Sequence, residues 1–171
     1  MKTLLTIILL CNWLFPQDSI IKEIKRNYSL VKGFQSGYKK STKDLMELST
    51  EGGNATYYRD NDNKIKIITT ELYGEMGMSY EEYYFNNDSM FFSYSEERNY
   101  NAPMYYDSTA AKTDGGEPFD AKKTKIEQHR FYFSRNKLIQ WLDPQMKPVA
   151  KNKAYYEKEK DILEFCQLLL K

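Results

Sequence analysis

Few residues in this chain have chemistry to offer. His129 is the only histidine, and a general base of that kind needs a carboxylate or nucleophile within hydrogen-bond reach. The adjacent carboxylates are Glu81-Glu82 and Glu96-Glu97. Neighbours on a strand point to opposite faces, so neither pair can act together on one bond. Across a hairpin the spacing sets Glu81 opposite Tyr94 and Glu82 opposite Ser93, whereas glycoside hydrolysis needs two carboxyl groups facing each other over a sugar. The stretch "DNDNK" (60–64) alternates oxygen ligands like the start of a calcium loop, without the glycine and closing glutamate of one. No Gly-x-Ser-x-Gly elbow, zinc-protease motif or phosphate-binding loop occurs. These residues imply no catalytic set, no metal and no cofactor.

Recognition by rings is the remaining chemistry. Aromatic residues make up 15% of the chain, and 15 of them are tyrosines, which join apolar area to a hydrogen-bonding tip. The candidate contact residues are Tyr83, Phe92 and Tyr94, with Arg59, Lys66 and His129 beside them on one sheet face. Rings flanked by polar groups suit a peptide, a glycan or another protein.

Three segments would position these side chains: "YYRDNDNKI" (57–65), "YYFNNDSMF" (83–91) and "FYFSRNKLI" (131–139). They align without gaps around the pairs Asn61-Asp62, Asn87-Asp88 and Arg135-Asn136. Asn and Asp tolerate the positive φ of a tight hairpin turn, so three consecutive hairpins are expected. Two-residue turns would pair Tyr58 with Ile65, Tyr84 with Phe91 and Tyr132 with Ile139, defining a core face. The other face runs from Arg59 and Lys64 to Phe85 with Met90 and Phe133 with Leu138, and needs a cover across its apolar part.

Helices are expected at both ends. Residues 18–32 place Ile20, Ile21, Ile24, Tyr28 and Val31 at helical spacing, with Asp18 or Ser19 before them and Gly33 after. A loop-like piece follows, with Leu45, Met46 and Leu48 as its apolar part and "STEGGN" as a break. The stretch "KAYYEKEKDILEFCQLLLK" reads as a helix with Tyr156, Leu163, Cys166 and Leu170 along one side. Residues 99–125, with Pro103, Gly115-Gly116 and Pro118, read as an irregular excursion. The fold class expected is α+β: an antiparallel β-meander of about six strands in three hairpins, with N- and C-terminal helices packed on it. An incomplete barrel with 99–125 across its mouth is the alternative.

The totals bound the function. A net charge of +1 gives no global field favouring nucleic acid, and 41% hydrophobic with 29% charged residues is a globular composition. Residues 1–17 read as a signal peptide: Lys2 precedes an apolar run from Leu4 to Leu10, extended by Trp13, Leu14 and Phe15, and Gln17-Asp18-Ser19 ends it. That run is about a dozen residues, short of the roughly 20 that span a bilayer. The mature chain, 18–171, is then a single domain, periplasmic or secreted. Leu10 is bulky where a lipoprotein signal wants a small residue, so plain export is favoured over lipid anchoring at Cys11. Cys166 would remain as the lone thiol, a core residue with no disulfide partner.

The stretches "ELSTEGGNATYYRD", "LYGEMG", "EYYFNNDSMFF" and "RFYFSRNKLIQWLD", framed by a helix on each side, resemble a group of small exported proteins of unknown function from Bacteroidetes-type bacteria. The resemblance covers most of residues 18–142 and implies no activity. The hairpins are also distantly similar to MORN-type repeats but lack their regular glycines, so lipid binding does not carry over. The expected function is that of an exported, non-catalytic binding or interaction module. The alternatives are a small hydrolase using Glu81 and Glu97 near His129, and a structural envelope protein acting through its sheet edge.

Overall fold

The computed structural model describes residues 17–171; the signal segment expected at 1–17, Gln17 apart, and Cys11 lie outside the described residues. Seven strands pair antiparallel in sequence order: β1 (Lys39–Asp44), β2 (Gly53–Arg59), β3 (Ile65–Gly74), β4 (Gly77–Asn86), β5 (Ser89–Asn99), β6 (Lys125–Ser134) and β7 (Lys137–Leu142). β1 and β7 are the two edges, so the sheet is open rather than barrel-like. α1 (Gln17–Gly33) lies on one face and α3 (Lys153–Leu169) on the other. α2 (Ser108–Asp114) sits in the long β5–β6 connection.

The count is seven strands, not about six. β1 is the extra one, "KKSTKD", exposed at every position and without the alternation that marks a half-buried strand. It forms because β2 offers an edge to pair with, and Lys40 lays its Nζ 5.2 Å from the Tyr58 ring centroid.

The tight turns of the second and third hairpins form where expected. Asn87 and Asp88 have φ of 49° and 60°, and Arg135 and Asn136 have 51° and 57°. These positive values match the right-handed twist of the flanking strands. The first hairpin departs from that pattern. Its turn is not Asn61-Asp62 but the five-residue loop Asp60–Lys64, in which Asn63 alone is left-handed at φ 62°. The Asp60 carboxylate closes it, with Oδ1 accepting from the backbone N–H of Asp62 and Lys64 at 3.0 and 2.9 Å. The same device recurs after β7, unforeseen in the sequence. Asp143 Oδ1 accepts from the N–H of Gln145 and Lys147, Met146 has φ 62°, and Val149 returns to Trp141.

All three hairpins contain a bulge close to the turn, one pair from it in the first and two pairs in the others. Tyr58 pairs with Ile67, Tyr84 with Phe92 and Tyr132 with Gln140, leaving Lys66, Phe91 and Ile139 surplus on the returning strands. The expected partners Ile65, Phe91 and Ile139 are corrected by these registers. Beyond the bulges of the second and third hairpins the face of every side chain on the returning strand is reversed relative to a two-residue count; in the first, the longer loop and the bulge together shift the register by two and the faces are kept.

The common face of Tyr58, Tyr84 and Tyr132 survives this correction, since all three join one apolar cluster with Ile67, Phe91, Phe92 and Leu142. α1 covers that cluster with Ile20, Ile21, Ile24, Tyr28 and Val31, the five residues its spacing picks out. The opposite cluster contains Tyr57, Ile68, Tyr83, Phe85, Met90, Phe131, Phe133 and Leu138 under α3. α3 presents Tyr155, Ile162, Cys166 and Leu169, one position off the expected stripe at Tyr156, Leu163 and Leu170. Both stripes have helical spacing. Tyr155 decides between them, because its buried hydroxyl donates to Leu138 O at 3.1 Å. Burial pushes the Cys166 thiol up to about 11, as suits a core residue.

The excursion at 99–125 is ordered by its own small interior. Asp107 caps α2, Ala102 and Ala111 are buried, and the Tyr100 and Phe119 rings meet edge to face at 5.5 Å.

A turn demanding two positive φ values is improved by Asn-Gly. Arg135→Asn with Asn136→Gly should raise stability by about 0.5–1 kcal/mol, and Asn136→Val should lower it by more than that, as read from urea midpoints. Equal midpoints for the two variants would mean that this turn does not carry the strain described.

Candidate functional site

The face under α1 is not covered along its whole length. Side chains two residues apart on each strand form cross-strand rows. Nearest the tight turns runs Tyr58–Ile67–Tyr84–Phe92–Tyr132, which α1 buries. The next row is Thr56–Thr69–Glu82–Tyr94–Arg130, and the next Asn54–Glu71–Tyr80–Glu96–Gln128. As the rows leave the helix they change from rings to charges. Between the charged rows and the C-terminal half of α1 lies an open cleft of about 890 Å³, within the size range of small-molecule sites.

Glu82 anchors the helix side of this cleft. It is 6% exposed. Its Oε1 accepts from Lys32 Nζ and from the Tyr80 hydroxyl, both at 2.7 Å, and its Oε2 accepts from the Tyr84 hydroxyl at 2.5 Å. A buried carboxylate is tolerable only with such donors. The Tyr28 ring meets Tyr84 and Phe92 edge to face, at 4.9 and 5.0 Å between centroids, so α1 is fastened by a charge and a ring together. Burial, and then the Glu82 carboxylate, push the Tyr84 and Tyr80 hydroxyls far above the ordinary phenol range. Both hydroxyls are therefore permanent donors.

Glu96 anchors the far side. Its carboxylate accepts from Tyr94 hydroxyl at 2.8 Å, Arg98 Nε at 2.7 Å and Gln128 Nε2 at 3.0 Å. Burial pushes this carboxyl up, but the three donors together outweigh it and hold Glu96 below the usual carboxylate range. Glu71 accepts from Tyr73 hydroxyl at 2.7 Å and Asn54 Nδ2 at 3.3 Å. Arg130 differs from its neighbours: its guanidinium lies 5.5 Å from the Tyr94 ring centroid, and among the described residues no carboxylate pairs with it.

The structure divides the six candidate residues among three places. Phe92 and Tyr94 line the cleft. Tyr83 is on the opposite face, 1% exposed, its ring 6.3 Å from Phe165 of α3 and its hydroxyl donating to Glu81. The bulge is the reason: Tyr83 pairs with Ser93, and Glu82, not Glu81, pairs with Tyr94. His129 is also under α3, stacked on Phe131. Arg59 and Lys66 stay at the first hairpin's loop, Arg59 Nη1 donating to Asn63 O and Lys66 Nζ lying 3.3 Å from Asp60. Tyr80 and Arg130 were not singled out by sequence, and Glu82 and Glu96 were weighed only as members of catalytic pairs. Their signal was available in the two-residue alternation Tyr80-Glu82-Tyr84, Tyr94-Glu96-Arg98 and Gln128-Arg130-Tyr132.

The α3 face does assemble the residues of a hydrolase reading. Glu81, Ser95 and His129 form one cross-strand row, with Glu97 in the next. His129 is disarmed, however. Trp141 Nε1 donates to its Nδ1 at 3.0 Å; an indole can only donate, so the ring proton must be on Nε2 and the basic nitrogen is occupied. Burial, with Lys158 nearby, lowers its pKa and keeps it neutral. Among the described residues no group of His, Cys, Asp and Glu is placed to hold a metal ion, and no helix is long and apolar enough to cross a membrane.

Compared with known proteins, the chain matches no family model, no curated protein and no solved structure.

The two faces carry carboxylates of opposite pH linkage. Burial raises the Glu81 carboxyl, with the Tyr83 hydroxyl and Lys158 opposing only in part. Its stabilising contribution is complete in acid and is lost as pH rises through that raised value; Glu96, held low, contributes above the ordinary carboxylate range and loses its contribution as pH falls. Glu96→Gln should cost about 1–2 kcal/mol near neutrality, shrinking in acid, whereas Glu81→Gln should gain on wild type as pH rises, in urea titrations from about pH 3 to about pH 8. Parallel pH profiles for the two variants would contradict this assignment.

Proposed function

We propose that the protein is an exported, non-catalytic binding module that takes a small polar ligand, of saccharide type, in the cleft beside α1. The cleft itself carries this reading: about 890 Å³, open, with a floor of tyrosines and hydrogen-bonded charges held rigidly by three paired strands. Rigid rings with fixed polar groups bind with little loss of side-chain freedom.

A saccharide is favoured over a peptide by the floor's position. β4, β5 and β6 are interior strands, so their backbone donors and acceptors are consumed by neighbours. A peptide usually docks on a sheet through a free edge, and none lies in the cleft. Sugar hydroxyls need only side-chain partners. Export rests on Lys2 and the apolar run that follows it, and the resemblance to small exported proteins accords with that.

A second reading, a carboxylate-dependent hydrolase on the α3 face, draws support from the raised carboxyl of Glu81 beside a hollow of about 220 Å³. The occupied base nitrogen of His129 weighs against it.

A glycan and peptide array, followed by amide shift mapping, separates these readings. The expected result is a glycan hit whose perturbations fall on residues 78–82, 94–98 and 128–132. Hits confined to peptides, or perturbations at Glu81 and Lys158 with turnover of the ligand, would overturn the reading.

A further inference from the structure

The cleft's charges do not balance among themselves, and the imbalance has a location. Each of its carboxylates already has donors: Lys32, Tyr80 and Tyr84 on Glu82, Tyr94, Arg98 and Gln128 on Glu96, and Tyr73 with Asn54 on Glu71. Lys32 and Arg98 are spent in those pairs, at 2.7 Å each. Arg130 is not. It stands half-buried in the cleft wall next to Tyr94, and among the described residues neither an ion pair nor a hydrogen bond engages its guanidinium. Lys25, exposed on α1 at the rim, adds a second cation without a carboxylate partner among the described residues.

An arginine wall with no acceptor is poorly compensated unless solvent or a ligand supplies one. Guanidinium presents a planar fork that matches a carboxylate with two parallel hydrogen bonds, and attraction to the Tyr94 ring face at 5.5 Å favours its place in the wall. We infer that the cleft takes an acidic saccharide, whose carboxylate is held by Arg130 while its hydroxyls meet the surrounding tyrosine and amide groups. This rests on the binding reading above and adds the charge of the ligand to it. The charges of Glu82 and Glu96 are offset by Lys32 and Arg98, so they repel such a ligand less than unpaired carboxylates would.

Calorimetric titration of the full protein with digalacturonate, maltose and glutarate tests this. Digalacturonate should bind, maltose at least about tenfold more weakly, and binding should weaken as salt rises. Arg130→Gln should weaken digalacturonate binding by about 30-fold, the loss expected for one charge-assisted pair. Arg130→Lys should recover part of that loss, since charge returns without the fork. Unchanged melting temperatures in both variants show that the fold is intact. If they fall, Lys25→Gln at the exposed rim should still weaken the acidic ligand and leave maltose unaffected. Equal affinity for maltose and digalacturonate, unaltered by Arg130→Gln, would overturn the role of Arg130 and leave the binding cleft standing. Glutarate as tight as digalacturonate would overturn the saccharide assignment. Silence from all three probes would overturn the acidic-saccharide inference, and the glycan array would then decide whether any binding function remains.

Discussion

Lys66, Phe91 and Ile139 each stand opposite no partner, and their shared position beside the hairpin turns governs where almost every ring in this sheet goes. A strand has a period of two, so one surplus residue moves the whole remainder of that strand to the other face. In β5 this sends Phe92 and Tyr94 to the side of Tyr84, and leaves Ser93 and Ser95 facing α3. The bulge also aims Phe91 and Phe92 at the same cluster, which gives α1 a wider apolar bed than strict alternation would. The two-sided burial of the sheet follows from that sorting, and so do the two helices on opposite faces.

The cleft is the complement of this arrangement. Where α1 lies, the rows are rings and isoleucines; where it does not, they are tyrosines tied to carboxylates and cations. Glu82 sits at the boundary and serves both sides, joining Lys32 of the helix to two tyrosines of the sheet. Its charge is stabilised by three donors in a nearly water-free position, an arrangement that resists rotamer change because each alternative would strand the carboxylate. The wall of the cleft next to α1 is therefore set by a polar network, and its far wall by Glu96 and Arg98.

Much of the fold could be read from the residues, and what could not be read has physical reasons. The turns at Asn87-Asp88 and Arg135-Asn136 were legible because few side chains tolerate two positive φ values, and the apolar side of α1 because isoleucines recur at helical spacing. β1 was not legible. An all-polar edge strand is formed by its partner's unpaired backbone, a tertiary cause invisible in "KKSTKD". The bulges were hidden because a two-residue count assumes unbroken alternation on the returning strand, and a gap-free alignment concealed that the first loop has five residues where the others have two. The candidate site suffered most from this: Phe92 and Tyr94 reach the cleft, Tyr83 and His129 lie on the other side, and Arg59 and Lys66 remain at a loop.

The meander pairs each strand only with its neighbours in sequence, so the ladder can close progressively as the chain is made, from β1 towards β7. α1 is already present when its bed forms, but α3 is synthesised after every strand it covers. Until residues 153–169 emerge, Tyr83, Phe85, Phe131 and Phe133 form a bare aromatic slab with no lid. Ribosome-bound or truncated chains would share that adhesive surface, which places the molecule's greatest exposure to misassembly in the interval between completing the sheet and releasing its last helix.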